Sequence, residues 1–210
     1  MNKIIILILA IWLSACNQQS TQDEVDPPTN FNEELRTELM DILTKDQDLR
    51  IALDTMENMY DWESETVQNT WKQIHYNDSV NLVRIEAIID EHGWPGKSLV
   101  GEDLADVPFL VLQHCSDVKT MEKYLPILEE AVKNEELDKA SFAMYVDRLK
   151  MFKEEDQLYG TQLIWDYDND EYQLYPVEDE DKLNARRAEM GLSTIEAYLE
   201  HFGMEYKKPE

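Results

Sequence analysis

The sequence predicts a mainly α, single-domain helical bundle that carries one β-hairpin. From Phe31 onward, apolar residues recur at the three- and four-residue spacing of amphipathic helices in one segment after another. Only residues 161–175 turn to alternation around an acidic turn, the signature of a hairpin. A chain of 210 residues with 43% hydrophobic and 10% aromatic content is long enough for one core and too apolar for a disordered polymer.

The bundle is organised around Asp106-Val107-Pro108-Phe109-Leu110-Val111-Leu112-Gln113-His114-Cys115, the most apolar run beyond the N-terminal segment. As a helix it is greasy nearly all round, the pattern of a helix buried at a bundle centre. At about 100° per residue, His114 falls between Val107 and Leu110, inside the apolar surface.

Charge limits the partners. Lys+Arg 19 against Asp+Glu 45 gives a formal net charge of -26, which repels nucleic acid phosphates and anionic headgroups and excludes a nucleic-acid role. Two cysteines, Cys16 and Cys115, offer no disulfide framework once Cys16 is modified as described next. Cys115 beside His114 reads as a small apolar core residue rather than a thiol nucleophile.

Residues 1–15 form an address. Lys3 supplies positive charge, and Ile4 to Leu13 is an apolar segment of signal-peptide length, too short to span a bilayer. It runs into Leu13-Ser14-Ala15-Cys16, which looks like a bacterial lipobox with Cys16 as the lipidated residue. Several acyl chains on one cysteine give stable anchoring. Residues 16–30, polar and containing Pro27-Pro28, read as a tether. The expected location is the bacterial cell envelope, anchored to a membrane and facing the periplasm or exterior. The folded domain is expected over residues 31–206.

The first helix is predicted over Phe31–Tyr60, with Asn32 at its start and Leu35, Leu39, Ile42, Leu43, Leu49, Leu53, Met56 and Tyr60 on one stripe. Asp46 and Arg50 fall in the middle of that stripe. A helix over Glu63–Tyr76 follows, and Asn77-Asp78 is expected to cap another through His92, with Val80, Leu82, Ile85, Ile88 and Ile89 on its apolar face and Asn81 within the arc. Gly93 and Pro95 end it. Beyond the central run, Asp117–Asn134 is amphipathic with a bend expected at Pro126, and Asp138 caps a helix to about Glu155. There Asp147 and Lys150 lie on the polar arc, whereas Arg148 sits among Met144, Tyr145, Met151 and Phe152. Thr161, Leu163, Trp165 and Tyr167 alternate, and Tyr172 to Tyr175 returns. Short helices over Leu183–Met190, with Arg187 leaning toward Leu183 and Met190, and after a Ser193 cap complete the domain.

Asp46, Arg50, Asn81, His114, Arg148 and Arg187 thus occupy positions where an ordinary bundle places aliphatic side chains. A buried ionic group costs several kcal/mol unless partnered. Two arrangements meet that demand. In the first, they converge on a small anionic ligand. His114 transfers protons, Asp46 orients it or acts as a second base, and Arg50 and Arg148 hold the anion by forked hydrogen bonds; Arg187 is grouped with them. Asn81 and Gln162 fix the ligand or an attacking water, which points to hydrolase-type acid/base chemistry. In the second, the same residues form a core salt-bridge network in a non-enzymatic envelope protein, structural or protein-binding. Known catalytic motifs are absent and the four histidines lack ligand spacing, so neither a metal nor a cofactor is expected.

Asp46…Arg50, Asn81 with Gly93-Trp94-Pro95 and Gly101, Gln113-His114, Asp147-Arg148, Gly160-Thr161-Gln162 and Asn184…Arg187 together resemble the bacterial family DUF6624, over about Phe31 to Phe202. The resemblance implies no particular activity. It does place the inward-facing polar residues at the family's motif positions.

Overall fold

The computed structural model describes residues 30–57, 59–166, 169 and 171–207. The address segment, Cys16 and nearly all of the tether lie outside the described residues. Helix α1 spans Glu33–Glu57, α2 Glu65–His92, α3 Lys97–Val100, α4 Val107–Gln113, α5 Val118–Lys133 and α6 Lys139–Phe152. Strands β1 (Leu163–Asp166) and β2 (Glu171–Leu174) follow, then a 3-10 turn at Glu180–Lys182, α7 (Leu183–Glu189) and α8 (Ile195–Glu200). The architecture is mainly α with one antiparallel hairpin, as the periodicity implies.

Several helix ends have a local chemical cause, whereas Asp138, at the start of α6, makes no capping bond because its carboxylate accepts from Lys97 instead. Asn32 accepts from the Leu35 N–H at 3.0 Å, Ser64 from Val67, and Asp117 from Thr120, so orphan amides at three helix N-termini are satisfied. Gly93 closes α2 at φ 74, a conformation that favours glycine. Pro108 lies in the first turn of α4, where its missing N–H breaks no helical bond.

The greasy run does form the centre. Val107, Pro108, Phe109, Val111 and Leu112 are all buried, and α4 packs against α1, α2 and α6. Among the described residues three apolar clusters result. The main one joins Leu39 and Ile42 of α1 to Ile85 and Ile89 of α2, the α4 core residues, and Tyr124 and Tyr145. A satellite holds Leu53, Val67 and Ile74. A third gathers Leu163, Val177, Leu183, Ile195 and Leu199 under the hairpin, where Trp165 meets Tyr172 edge to face at 4.7 Å.

Three sequence expectations are corrected. Asn77-Asp78 caps nothing: α2 runs unbroken through it, because both side chains reach across to α1 instead of folding back on their own backbone. The last helix is capped by Thr194, whose side chain accepts from the Ala197 N–H, while Ser193 contributes only a carbonyl. Val80 is solvent-facing, and Asn81 takes the inward position beside it.

Deleting the Phe109 ring, which is completely buried, is expected to cost about 3–5 kcal/mol. Val83→Ala on the exposed face of α2 should stay within about 0.5 kcal/mol. Urea unfolding of both variants checks the assignment of α4 as the core helix.

Candidate functional site

The polar residues collect where the apolar clusters meet. On α1, Ile42 belongs to the main cluster and Leu53 to the satellite, and Asp46 and Arg50 fill the turns between them. Both are buried, at 1% and 3% exposure. Arg50 donates through Nη1 to the Asp46 carbonyl at 2.6 Å and lies 3.4 Å from Asp46 Oδ1. Its Nη2 donates to Asp78 Oδ1 on α2 at 2.6 Å. One guanidinium therefore serves two carboxylates and ties two helices. Asn81, one turn along α2, donates to the Ile42 carbonyl at 3.3 Å, and Gln47 donates to Asp46 Oδ2 at 2.6 Å.

His114 enters from α4. It closes that helix, and its Nε2 lies 3.4 Å from Asp46 Oδ2, near enough to feel the charge but without the geometry of a formed hydrogen bond. Asp46 Oδ1, Asn81 Oδ1 and His114 Nε2 are all buried without a hydrogen-bond partner. Such orphans are rare in folded proteins because each forfeits its hydration.

Arg148 enters from α6. Its Nε donates to Gln162 Oε1 at 3.1 Å and its Nη1 to the Gln113 carbonyl at 3.0 Å. Among the described residues no carboxylate lies within ion-pair distance of it, and its Nη2 makes no hydrogen bond. The residue before it does a different job. Asp147, completely buried, accepts from the N–H groups of Leu158, Tyr159 and Thr161 and from the Thr161 hydroxyl, at 2.7–3.2 Å. Gln157 holds the Gln162 backbone from both sides, and Tyr198 donates to the Thr161 carbonyl at 2.8 Å. Gly160 makes this wrap possible. Its φ is +66, and a Cβ there would sit 3.0 Å from Ile195 Cδ1.

The electrostatics follow from burial and neighbours. Burial pushes His114 below its ordinary value, Asp46 pulls it back, and Arg50 and Arg148 add to the depression, so the imidazole is neutral near pH 7. For Asp46, burial opposes ionisation, but His114 and Arg50 outweigh it and the carboxyl titrates below its usual range. Burial pushes Arg148 down to about 10, which leaves it cationic at neutral pH. Burial raises the Cys115 thiol, consistent with a half-buried core residue.

The fold thus brings together Asp46, Arg50, Asn81, His114, Arg148 and Gln162. Arg187 stands apart. It is buried, but its Nε and Nη1 donate to the carbonyls of Ser193, Tyr159 and Gly160, and it stacks over Tyr198 at 4.9 Å. It supports the 157–162 loop through its carbonyls, where Asp147 holds its amides. Sequence reasoning missed Asp78, Asp147 and Gln157. Asp147 was expected on the solvent arc; it is covered by the loop it organises, and its only signal was its place beside Arg148 in the shared motif.

A mainly α domain with one hairpin, built around a buried charged centre, is the class these features define. The chain belongs to DUF6624, described as a family of unknown function, which matches residues 33–207. No curated protein and no solved structure matches it.

Two outcomes test the site's construction. Because the folded pKa of His114 is depressed, its contribution is fully present above the unfolded value near 6.5 and is lost as pH falls from there toward the folded value. His114→Gln should remove that part of the stability loss, read as the difference between the two proteins' melting curves from about pH 7 to 5. Asp147→Asn sets an amide donor against backbone donors and should lower stability by about 1–3 kcal/mol in urea.

Proposed function

We propose that the buried polar centre binds a small ligand carrying an anionic group and supports hydrolase-type acid/base chemistry at His114. The observation that carries this reading is the convergence from three helices of three buried polar atoms without a hydrogen-bond partner, beside a guanidinium with no carboxylate in ion-pair distance among the described residues. A core built only for stability leaves few such groups, since each costs about 1–3 kcal/mol. In this reading neutral His114 takes or gives the proton, and Asp46 orients it and stabilises the imidazolium that forms. Arg148, already steadied by Gln162 and the Gln113 carbonyl, offers Nη2 to the anion. Arg50, shared between Asp46 and Asp78, sets the field rather than the grip. Asn81 supplies an acceptor.

The same proposal places the domain in the bacterial cell envelope, lipid-anchored through Cys16 after removal of residues 1–15. The lipobox-like Leu13-Ser14-Ala15-Cys16 behind an apolar segment supports it. Cys16→Ser should move the protein from the membrane fraction to the soluble fraction.

A second reading has its own support. Arg50 already has two carboxylates and Arg148 two acceptors, as in a network that only fixes helix register. A thermal-shift screen against phosphates, carboxylates and amino sugars separates the two. A true ligand at a hundred times its dissociation constant raises stability by about 2.7 kcal/mol. His114→Ala should then abolish that increment while moving the ligand-free melting temperature little. Large shifts in ligand-free melting for both His114→Ala and Arg148→Met, with no stabilising anion, establish the network instead.

A further inference from the structure

The arrangement of orphaned groups narrows the ligand, provided the ligand-binding reading of the site holds. Two of the three are acceptors only, Asp46 Oδ1 and the Asn81 side-chain oxygen. Asn81 is fastened to the Ile42 carbonyl, one helical turn before Asp46, so the two acceptors belong to the same wall of the site. A bare anion offers them nothing, because it too only accepts. The opposite side, from α6, carries the unbonded Nη2 of Arg148, which only donates. The centre therefore asks for donors at one end and an acceptor at the other.

Charge balance points the same way. Within the centre, Asp46 and the partly exposed Asp78 stand against Arg50 and Arg148, two charges of each sign, so it is balanced while His114 is neutral. A net-neutral ligand preserves that balance. A bare anion leaves an uncompensated buried charge unless His114 takes up a proton. We propose that the ligand is a small zwitterion of amino acid type, its carboxylate on Arg148 Nη2 and its ammonium on Asp46 Oδ1 and the Asn81 side-chain oxygen. His114, lying beside Asp46, then faces the bound molecule as a neutral base.

The full-length protein is titrated with glycine, β-alanine and γ-aminobutyrate, which differ in the distance between amine and carboxylate. Acetate, propionate, butyrate and inorganic phosphate serve as the counterparts without an amine. Melting temperature and isothermal calorimetry are read from about pH 6 to 8. The charged groups facing His114 are Asp46 and Arg50 from α1 and Arg148 from α6, with Asp78 of α2 behind Arg50, and a pH dependence of binding reads proton uptake by the imidazole. The expected result is saturable binding of at least one zwitterion, at least tenfold tighter than its amine-free counterpart, with affinity flat in pH. Binding of phosphate or a simple carboxylate as tight as any zwitterion, the carboxylate weakening as pH rises and His114 loses the acquired proton, overturns the zwitterion assignment but leaves the anion site standing. No binding by any of the seven compounds overturns both.

Discussion

Arg50 is the interaction on which the rest of the domain depends. A guanidinium at 3% exposure sits where a helix stripe calls for an aliphatic side chain, and it is tolerable only because Asp46 and Asp78 flank it. The converse also holds, since buried Asp46 and partly exposed Asp78 come from adjacent helices with this guanidinium as the counter-charge between them. The trio sets how α1 and α2 lie along each other. Asn77 on the Lys45 carbonyl and Asn81 on the Ile42 carbonyl repeat the same lateral fastening on either side. Apolar packing alone is tolerant of small slides along a helix pair, whereas these directed bonds are not.

The remainder of the centre is held by a second device, mechanically separate from the first. The α6 dipeptide Asp147-Arg148 points in two directions. One side chain gathers the amides of the 157–161 segment, and the other crosses to the end of α4. Gln162 closes the circuit by leaving the segment that Asp147 organises and meeting the guanidinium of the next residue. Arg187 and Arg186 complete the clamp through carbonyls, Tyr159 and Gly160 for the former and Leu158 for the latter. Side chains therefore substitute for regular secondary structure in a stretch whose backbone has none.

These two devices were unequally legible in the sequence. The first stood out because periodicity is a local property: Leu39, Ile42, Leu49 and Leu53 define a face, and Asp46 and Arg50 interrupt it visibly. His114 and Asn81 were found the same way. The division of α2 was misplaced because Asn77-Asp78 has the composition of a cap, and only the neighbouring helix reveals that both side chains act laterally. Asp147 escaped notice for a related reason. A wheel groups it with Lys150, and nothing within one turn indicates that a distant loop will lie over it. The inward lean of Arg187 could be inferred, but its partners are main-chain carbonyls, which have no sequence signature.

The clamp around residues 157–162 also divides the C-terminal half into parts with different freedom to vary. From Leu158 to Gln162 most amides and carbonyls are matched to a particular side chain, so an inserted residue would throw several bonds out of phase at once. The paired strands are held differently, by main-chain bonds in a register that runs from Leu163 with Leu174 to Asp166 with Glu171. The span next to Arg148 should keep its length unchanged.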